Sequence, residues 1–148
     1  MGRVYKRVLR FKKKYPNTVA WRLEKNASVV ERHLNPGEEV RYVFAAQKND
    51  SIFNIFETAV ICLTTKRILI GRKRILFGYF LTSITPDMFN DLKVQGGLLW
   101  GKVFIDTVKE YVILSNISNE ALTEIETEVS TYMIEEKKKY VNELSDGD

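Results

Sequence analysis

The sequence has few of the residues from which most catalytic and metal sites are built. Its 148 residues include one histidine, one cysteine and three prolines. With His33 as the only histidine, neither a catalytic triad nor a histidine-containing metal cluster is predicted. The one cysteine, Cys62, excludes an internal disulfide and lies in an apolar segment, where we expect a small buried hydrophobe. We therefore predict a chain that is not an enzyme and uses no metal and no cofactor.

Long apolar runs are also lacking. No stretch approaches the roughly 20 apolar residues that a membrane-spanning helix needs. The basic N-terminal stretch "MGRVYKRVLRFKKKYP" lacks the continuous apolar core and the small-residue cleavage site of a secretory signal. We expect a cytoplasmic protein, with peripheral attachment at the inner face of the membrane as the open alternative.

The net charge of +4 conceals opposite charges at the two ends of the chain. Residues 1–35 carry ten Lys and Arg against two acids, a balance of +8, whereas residues 117–148 carry three Lys against nine acids, a balance of −6. The high isoelectric point therefore reflects one basic end and is a weak indication of nucleic-acid binding. The candidate contacts to a membrane or a partner at this end are Arg7, Arg10, Lys12, Lys13 and Lys14.

The spacing of apolar residues predicts the order of the elements. Residues 1–35 have helical spacing, with a first helix that ends before Pro16 and a second that starts at Asn17 or Thr18. Seven short segments rich in β-branched and aromatic residues then predict strands at 40–46, 58–65, 66–71, 74–84, 91–95, 102–108 and 110–116. An apolar stripe after Ser118 predicts a C-terminal helix. We therefore predict a basic helical hairpin over 1–35 and a β domain with a C-terminal helix over 36–148.

The stretch "GGLLWGK", residues 96–102, has the spacing of a phosphate-binding loop. However, Val103 stands where such a loop has the Ser or Thr that holds Mg²⁺. The residues that follow alternate between apolar and polar, which indicates a strand and not the required helix. We therefore predict no nucleotide site here, but a hairpin turn in which Gly96 and Gly97 adopt positive φ.

A cluster of cations in "TTKRILIGRKRI" is the main candidate for binding. Its members, expected near one end of a hairpin, are Lys66, Arg67, Arg72, Lys73 and Arg74. They could meet lipid phosphates, nucleic acid or an acidic protein, or they could simply be a solvated strand face that resists aggregation. Nucleic acid would also need exposed aromatic side chains among the cations. Because Phe77, Tyr79 and Phe80 follow at strand spacing, we expect them in the core, and nucleic acid is not favoured.

Three segments and the final helix resemble the bacterial pleckstrin-homology-like (PH-like) domains, and within these the YokE-like branch. They are "LNPGEEVRYVFAA", "AVICLTTKRILIGRKR" and "GGLLWGKVFIDTVKEYVILSNIS". The resemblance covers roughly residues 34–135 and implies a mainly β, α+β fold: a bent barrel of seven antiparallel strands capped by a C-terminal helix. Eukaryotic relatives of this fold bind phosphoinositides through basic residues in the first strand loop. Here that loop offers Lys48 alone beside Asp50 and Glu57, so we expect no such specificity.

The resemblance implies that the chain is an interaction or assembly module. Our first expectation is a non-catalytic module that mediates protein–protein association, including self-association. The alternative is peripheral binding to anionic membrane lipid through the basic N-terminal helix and the 66–74 hairpin. For the N-terminal helix itself, packing on the barrel with solvated lysines is favoured over a position in the membrane interface.

Overall fold

The computed structural model describes residues 2–49 and 56–146. Two N-terminal helices, seven strands and a C-terminal helix follow one another in the predicted order. They are α1 (Arg3–Lys14), α2 (Leu23–His33), β1 (Val40–Gln47), β2 (Thr58–Thr64), β3 (Ile68–Lys73), β4 (Tyr79–Ile84), β5 (Phe89–Gln95), β6 (Trp100–Thr107), β7 (Tyr111–Ser118) and α3 (Leu122–Asp146). Short 3₁₀ turns at Pro86–Met88 and Asn119–Ala121 precede β5 and α3.

The strands form one antiparallel sheet in the order β4-β3-β2-β1-β7-β6-β5. A single residue pair, Gln47 with Ser115, joins β1 to β7, and the sheet therefore divides into two halves at this point. Within the described residues, no pair joins β4 to β5, so these two strands are the free edges. The predicted fold of seven antiparallel strands, curled into a half-barrel with a C-terminal helix, is confirmed.

The inner core lies between the concave side of the sheet and α3. Ile125, Val129 and Met133 on α3 pack in one cluster with sheet residues such as Ile61 and Leu114. These residues keep the 3.6-residue period of an amphipathic helix, which gives α3 one apolar face to bury. The stripe predicted for the C-terminal helix is therefore the one that closes the barrel.

The outer core lies under α1 and α2, which pack on the convex side of β1, β2 and β3. Val4 and Val30 from the helices meet Val60, Cys62 and Leu69 from the strands. Because the inner core lies on the other side, every residue of β2 is buried. A strand that is buried on both faces reads as a continuous apolar run, as "TAVICLT" does.

The start of α2 differs from the prediction. The helix begins at Leu23 and not at Asn17 or Thr18. The Thr18 hydroxyl accepts a hydrogen bond of 2.9 Å from the Ser118 N–H, and the Val19 N–H donates one of 2.9 Å to the Asn116 carbonyl. These bonds to β7 hold the segment outside the helix, so tertiary contacts override a good local capping residue. The division of the chain at residue 35 stays a prediction.

The glycine-rich turn at residues 96–99 joins the antiparallel strands β5 and β6, but the predicted backbone conformation is wrong. Among the described glycines, positive φ occurs at Gly37 and Gly78 and not at Gly96 or Gly97. A side chain at Gly97 would instead place its Cβ 2.3 Å from the Trp100 carbonyl oxygen. Close approach of the backbone, and not positive φ, is the reason for glycine at position 97.

Candidate functional site

The five cations of the 66–74 segment are not brought together. Lys66 and Arg67 lie in the turn between β2 and β3, whereas Arg72 and Lys73 end β3 and Arg74 follows it. The six residues of β3 span about 20 Å at the usual rise of a strand. We call the end of the sheet with the β2–β3 turn the far end. The end with the β1–β2 and β3–β4 connections is the hairpin end.

Arg67 closes the far end of the barrel through a buried ion pair. Its Nε lies 3.1 Å from a carboxylate oxygen of Glu38, whose side chain is fully buried, and Nη2 donates 2.7 Å to the His33 carbonyl. Burial by itself raises the pKa of Glu38, but hydrogen bonds from Arg67, Asn35 and Thr64 outweigh it and hold the pKa below its usual value. Arg67 is therefore a structural residue, because its guanidinium bonds both to the Glu38 carboxylate and to the His33 carbonyl.

The hairpin end carries a tight turn after β3. The Arg74 N–H donates 3.0 Å to the Gly78 carbonyl, and Gly78 adopts a φ of 77°, which favours glycine. Ile75, Leu76 and Phe77 form the turn between them and expose 65%, 82% and 82% of their surface. We call these three residues the apolar tip.

The aromatic residues after Arg74 are exposed, so their predicted place in the core is wrong. Phe77 stands in the apolar tip, and Tyr79 and Phe80 are each nearly half exposed. The sequence predicted a strand from 74 to 84, but β4 begins only at Tyr79. The glycine in "RILFGYF" turns the chain here, so the apolar residues around it lie beyond the helices that cover the sheet. This glycine is the sequence signal that could have indicated their exposure.

Two arginines lie beside the apolar tip. Arg72 continues the row of Ile68 and Ile70, which face the concave side, and its guanidinium lies 4.6 Å from the centre of the Phe80 ring. The Arg74 guanidinium lies 5.4 Å from the same ring. An open hollow of about 480 Å³ is lined by the apolar tip together with Arg72, Arg74 and Phe80.

The start of α2 adds a further cation to the hairpin end. The Arg22 guanidinium donates 3.2 Å to the Lys73 carbonyl and 3.4 Å to the Arg74 carbonyl. A second hollow of about 250 Å³ is lined here by Arg22, Lys73, Ile75 and two exposed aromatic residues, Trp21 and Phe56. Sequence reasoning missed Trp21, Arg22 and Phe56 because nothing local places them beside the 74–78 turn. We call Arg22, Arg72, Lys73 and Arg74 the basic rim.

The N-terminal cations are held against the body of the protein or left in solvent. Arg7 donates 2.8 Å to the Arg41 carbonyl, Lys12 donates 2.7 Å to the Pro16 carbonyl, and Lys14 forms a 2.6 Å ion pair with Glu124. Arg10 and Lys13 are exposed. The apolar face of α1, with Val4, Val8 and Phe11, is buried. This helix therefore presents cations to solvent but no apolar face.

Two further side chains that could be chemically reactive, Cys62 and His33, are engaged in the structure of the domain. Cys62 is buried, as predicted, and burial raises the pKa of its thiol to about 12. The His33 ring contacts the Val29 carbonyl at 2.6 Å and the Tyr79 hydroxyl at 3.2 Å. In the part of the chain that the structure describes, no three His, Cys, Asp or Glu side chains are placed to hold a metal ion.

The family model of the bacterial PH domain matches residues 34–131, about two thirds of the chain. The chain belongs to the bacterial PH domain family. No curated protein and no solved structure matches it significantly. Domains of PH type generally mediate interactions with proteins or lipids. In this bacterial PH domain, α1 and α2 precede the matched range, so Trp21 and Arg22 are brought to the hairpin end by residues outside the family model.

The first strand loop of this bacterial PH domain has little basic character. Lys48 donates 3.3 Å to the Thr82 hydroxyl, and Glu57 lies 3.1 Å from the Asn49 amide nitrogen. Asp50 lies outside the described residues. No helix of the described chain is both long and apolar enough to pass through a bilayer.

Proposed function

We propose that this bacterial PH domain is a non-catalytic module that docks on an anionic membrane surface through the apolar tip and the basic rim. The observation that carries the proposal is the exposure of three consecutive apolar side chains, Ile75, Leu76 and Phe77, directly beside Arg72 and Arg74. Exposed apolar residues rimmed by polar groups mark interaction sites. Cations beside such residues match a surface of anionic headgroups over an apolar interior.

We expect neither the apolar tip nor the basic rim to hold the domain on a membrane by itself. Each apolar side chain of the tip gains at most about 1.5–3 kcal/mol when it leaves water, and each cation near an anionic leaflet contributes about 1 kcal/mol. The losses of rotational and translational freedom on binding are of similar size. We therefore expect weak, reversible attachment that needs anionic lipid and declines as salt screens the cations.

The composition of the site favours lipid over nucleic acid. Phe77 and Phe80 offer ring faces for base stacking, but Ile75 and Leu76 offer none. Both aliphatic side chains gain from entering an acyl environment, and Trp21 would lie at the headgroup level. Arg67 is left out of the proposed surface because it pairs with Glu38 at the far end. Among the N-terminal cations, Arg10 and Lys13 add only long-range attraction.

Association with a protein partner is the second candidate function. It is supported by the edge of β5, which has no strand partner among the described residues on its outer side and offers backbone hydrogen-bonding groups to another chain. The YokE-like branch is also part of the proposal, and it rests on "LTTKRILI" and "GLLWGKVFIDT".

Vesicle flotation tests the membrane proposal. We expect the full chain to float with vesicles containing about a third phosphatidylglycerol and not with pure phosphatidylcholine vesicles, and to be released at about 1 M salt. The double variant Arg72→Gln, Arg74→Gln should lose most of the bound fraction. Lys66→Gln with Lys109→Gln is the matched control, because it removes two charges elsewhere and should bind nearly as the wild type. Equal flotation with neutral and anionic vesicles would rule the proposal out.

A further inference from the structure

The strand β5 is an edge of the sheet with backbone groups that face away from its neighbour. Phe89, Asp91 and Lys93 are register partners of Thr107, Asp106 and Phe104 on β6, with a bulge between positions 89 and 91. The Leu92 N–H donates 2.8 Å to the Asp91 side chain. In an antiparallel strand, the N–H and C=O of one residue point to the same side. Because the Leu92 N–H bonds to a side chain and not to β6, the backbone groups of Leu92, and those of Val94 two residues later, point away from β6.

A groove runs between this edge and α3. It is a hollow of about 250 Å³ with Phe89 and Leu92 on the strand side and Met133, Ile134 and Lys137 on the helix side. Phe89 and Met133 are buried and give the groove an apolar floor, whereas Ile134 is 69% exposed and stands as its wall. The groove thus combines a strand edge with a place for an apolar side chain.

A cation stands at one end of the groove. The Lys137 ammonium lies 5.7 Å from the centre of the Phe89 ring, and within the described residues it forms no ion pair. Its helical neighbour Lys139, in contrast, is paired with Glu136 at 3.3 Å. Such a cation beside an apolar floor is complementary to a carboxylate that follows an apolar residue.

We propose that the groove between β5 and α3 binds an extended peptide segment of a partner protein, which pairs with β5 as an additional strand. The backbone of the peptide would bond to the outward carbonyl of Leu92 and to the outward N–H and carbonyl of Val94. An apolar side chain would enter the groove against Phe89 and Met133, and an acidic side chain would pair with Lys137. Addition of a strand supplies affinity through the main chain, and the pockets for alternate side chains supply specificity.

The groove and the membrane surface lie at different places on the molecule. Arg41, near the start of β1 at the far end, pairs with Glu135 and Glu136 of α3, which fixes this part of α3 away from the 74–78 turn. A chain docked through the apolar tip would therefore leave the groove free. The proposal rests on the second candidate function, protein association, and does not depend on membrane binding.

Selection from a library of random twelve-residue peptides displayed on phage, with the full chain as bait, tests the proposal. We expect selected peptides to carry an acidic residue near an apolar one. As synthetic peptides they should perturb the amide resonances of Leu92, Val94 and residues 130–137. Lys137→Glu should weaken their binding at least tenfold, whereas Lys138→Glu, the same charge change one residue further along α3, should leave it within twofold.

A second pair of variants tests the apolar contact. Ile134→Asp should abolish binding, whereas Val141→Asp, at another exposed apolar position of α3 beyond the groove, should not. Peptides whose perturbations map away from β5 would overturn the groove but leave protein association standing. A library that yields no specific binder would overturn both, and neither result would affect the flotation experiment.

Discussion

At the scale of single residues, the buried pair of Arg67 and Glu38 shows how one cation of a basic stretch acquires a structural role. The Glu38 carboxylate accepts bonds from Arg67, from the Asn35 N–H and from the Thr64 hydroxyl. Removing one member of such a pair leaves the other charge buried without compensation, which typically costs about 3–5 kcal/mol. The pair thus joins the loop before β1 to the β2–β3 turn and stabilises the far end.

We expect Arg67→Ala to lower the free energy of unfolding by about 3 kcal/mol near pH 7, since Glu38 then stays buried without its partner. The folded-state pKa of Glu38 is lowered, so the stability from this pair is present above the unfolded value of about 4.5 and declines as pH falls through the folded pKa. The difference between wild type and variant should therefore shrink in acid. Urea denaturation at pH 7 and at pH 3 measures both effects.

Lys66→Ala is the matched control for this prediction, because Lys66 is the exposed neighbour in the same turn. Its effect should stay within about 0.5 kcal/mol at either pH. If Arg67→Ala were no more destabilising than this control, the structural role of Arg67 would have to be abandoned.

At the scale of elements, α1 belongs to both cores of the protein. Val4 and Val8 pack in the outer core, whereas Phe11, together with Tyr15 directly after the helix, packs in the inner one. The Phe11 ring centre lies 5.2 Å from that of Tyr15 and 6.1 Å from that of Phe44 on β1. Since β1 and β7 share only one residue pair, side chains from outside the sheet can reach the inner core beside β1.

Phe11→Ala should therefore destabilise the whole domain by about 3–5 kcal/mol, as expected for a buried aromatic residue that leaves a cavity. Lys13→Ala on the exposed side of the same helix should change stability by less than about 0.5 kcal/mol. Chemical denaturation followed by fluorescence compares the two. Similar values for both variants would show that α1 is only loosely attached.

The helices and strands could be predicted from the sequence wherever a single buried face gives their apolar residues a regular spacing. β6 alternates in burial at every residue, and the α3 stripe is regular, so both were found from spacing alone. The start of α2 and the exposure of Phe77, Tyr79 and Phe80 were not predicted, because they depend on bonds to β7 and on what covers β4. Likewise, Arg67 and Arg72 look equivalent in sequence, and only the position of Glu38 separates their roles.

At the scale of the whole molecule, the opposite charges of the two termini partly meet within one chain. Lys14 of α1 pairs with Glu124 of α3, whereas the acids Glu135 and Glu136 pair with Arg41 of β1, outside the basic end. The basic rim lies apart from these acids, at the hairpin end. In the proposed orientation, the apolar tip points toward the bilayer while the β5 groove faces away from it, which would let one domain bind lipid and a partner together.

The measurement that tests membrane docking most directly is flotation with phosphatidylglycerol vesicles for two matched variants, Leu76→Asp and Leu98→Asp. Both residues are highly exposed leucines in hairpin turns, at 82% and 97%, so neither change should affect folding. Leu76 lies in the apolar tip beside the basic rim, whereas Leu98 lies in the β5–β6 turn. Docking through the apolar tip predicts that Leu76→Asp abolishes flotation while Leu98→Asp floats as the wild type does. Equal flotation of the two variants, or loss only in Leu98→Asp, would contradict it.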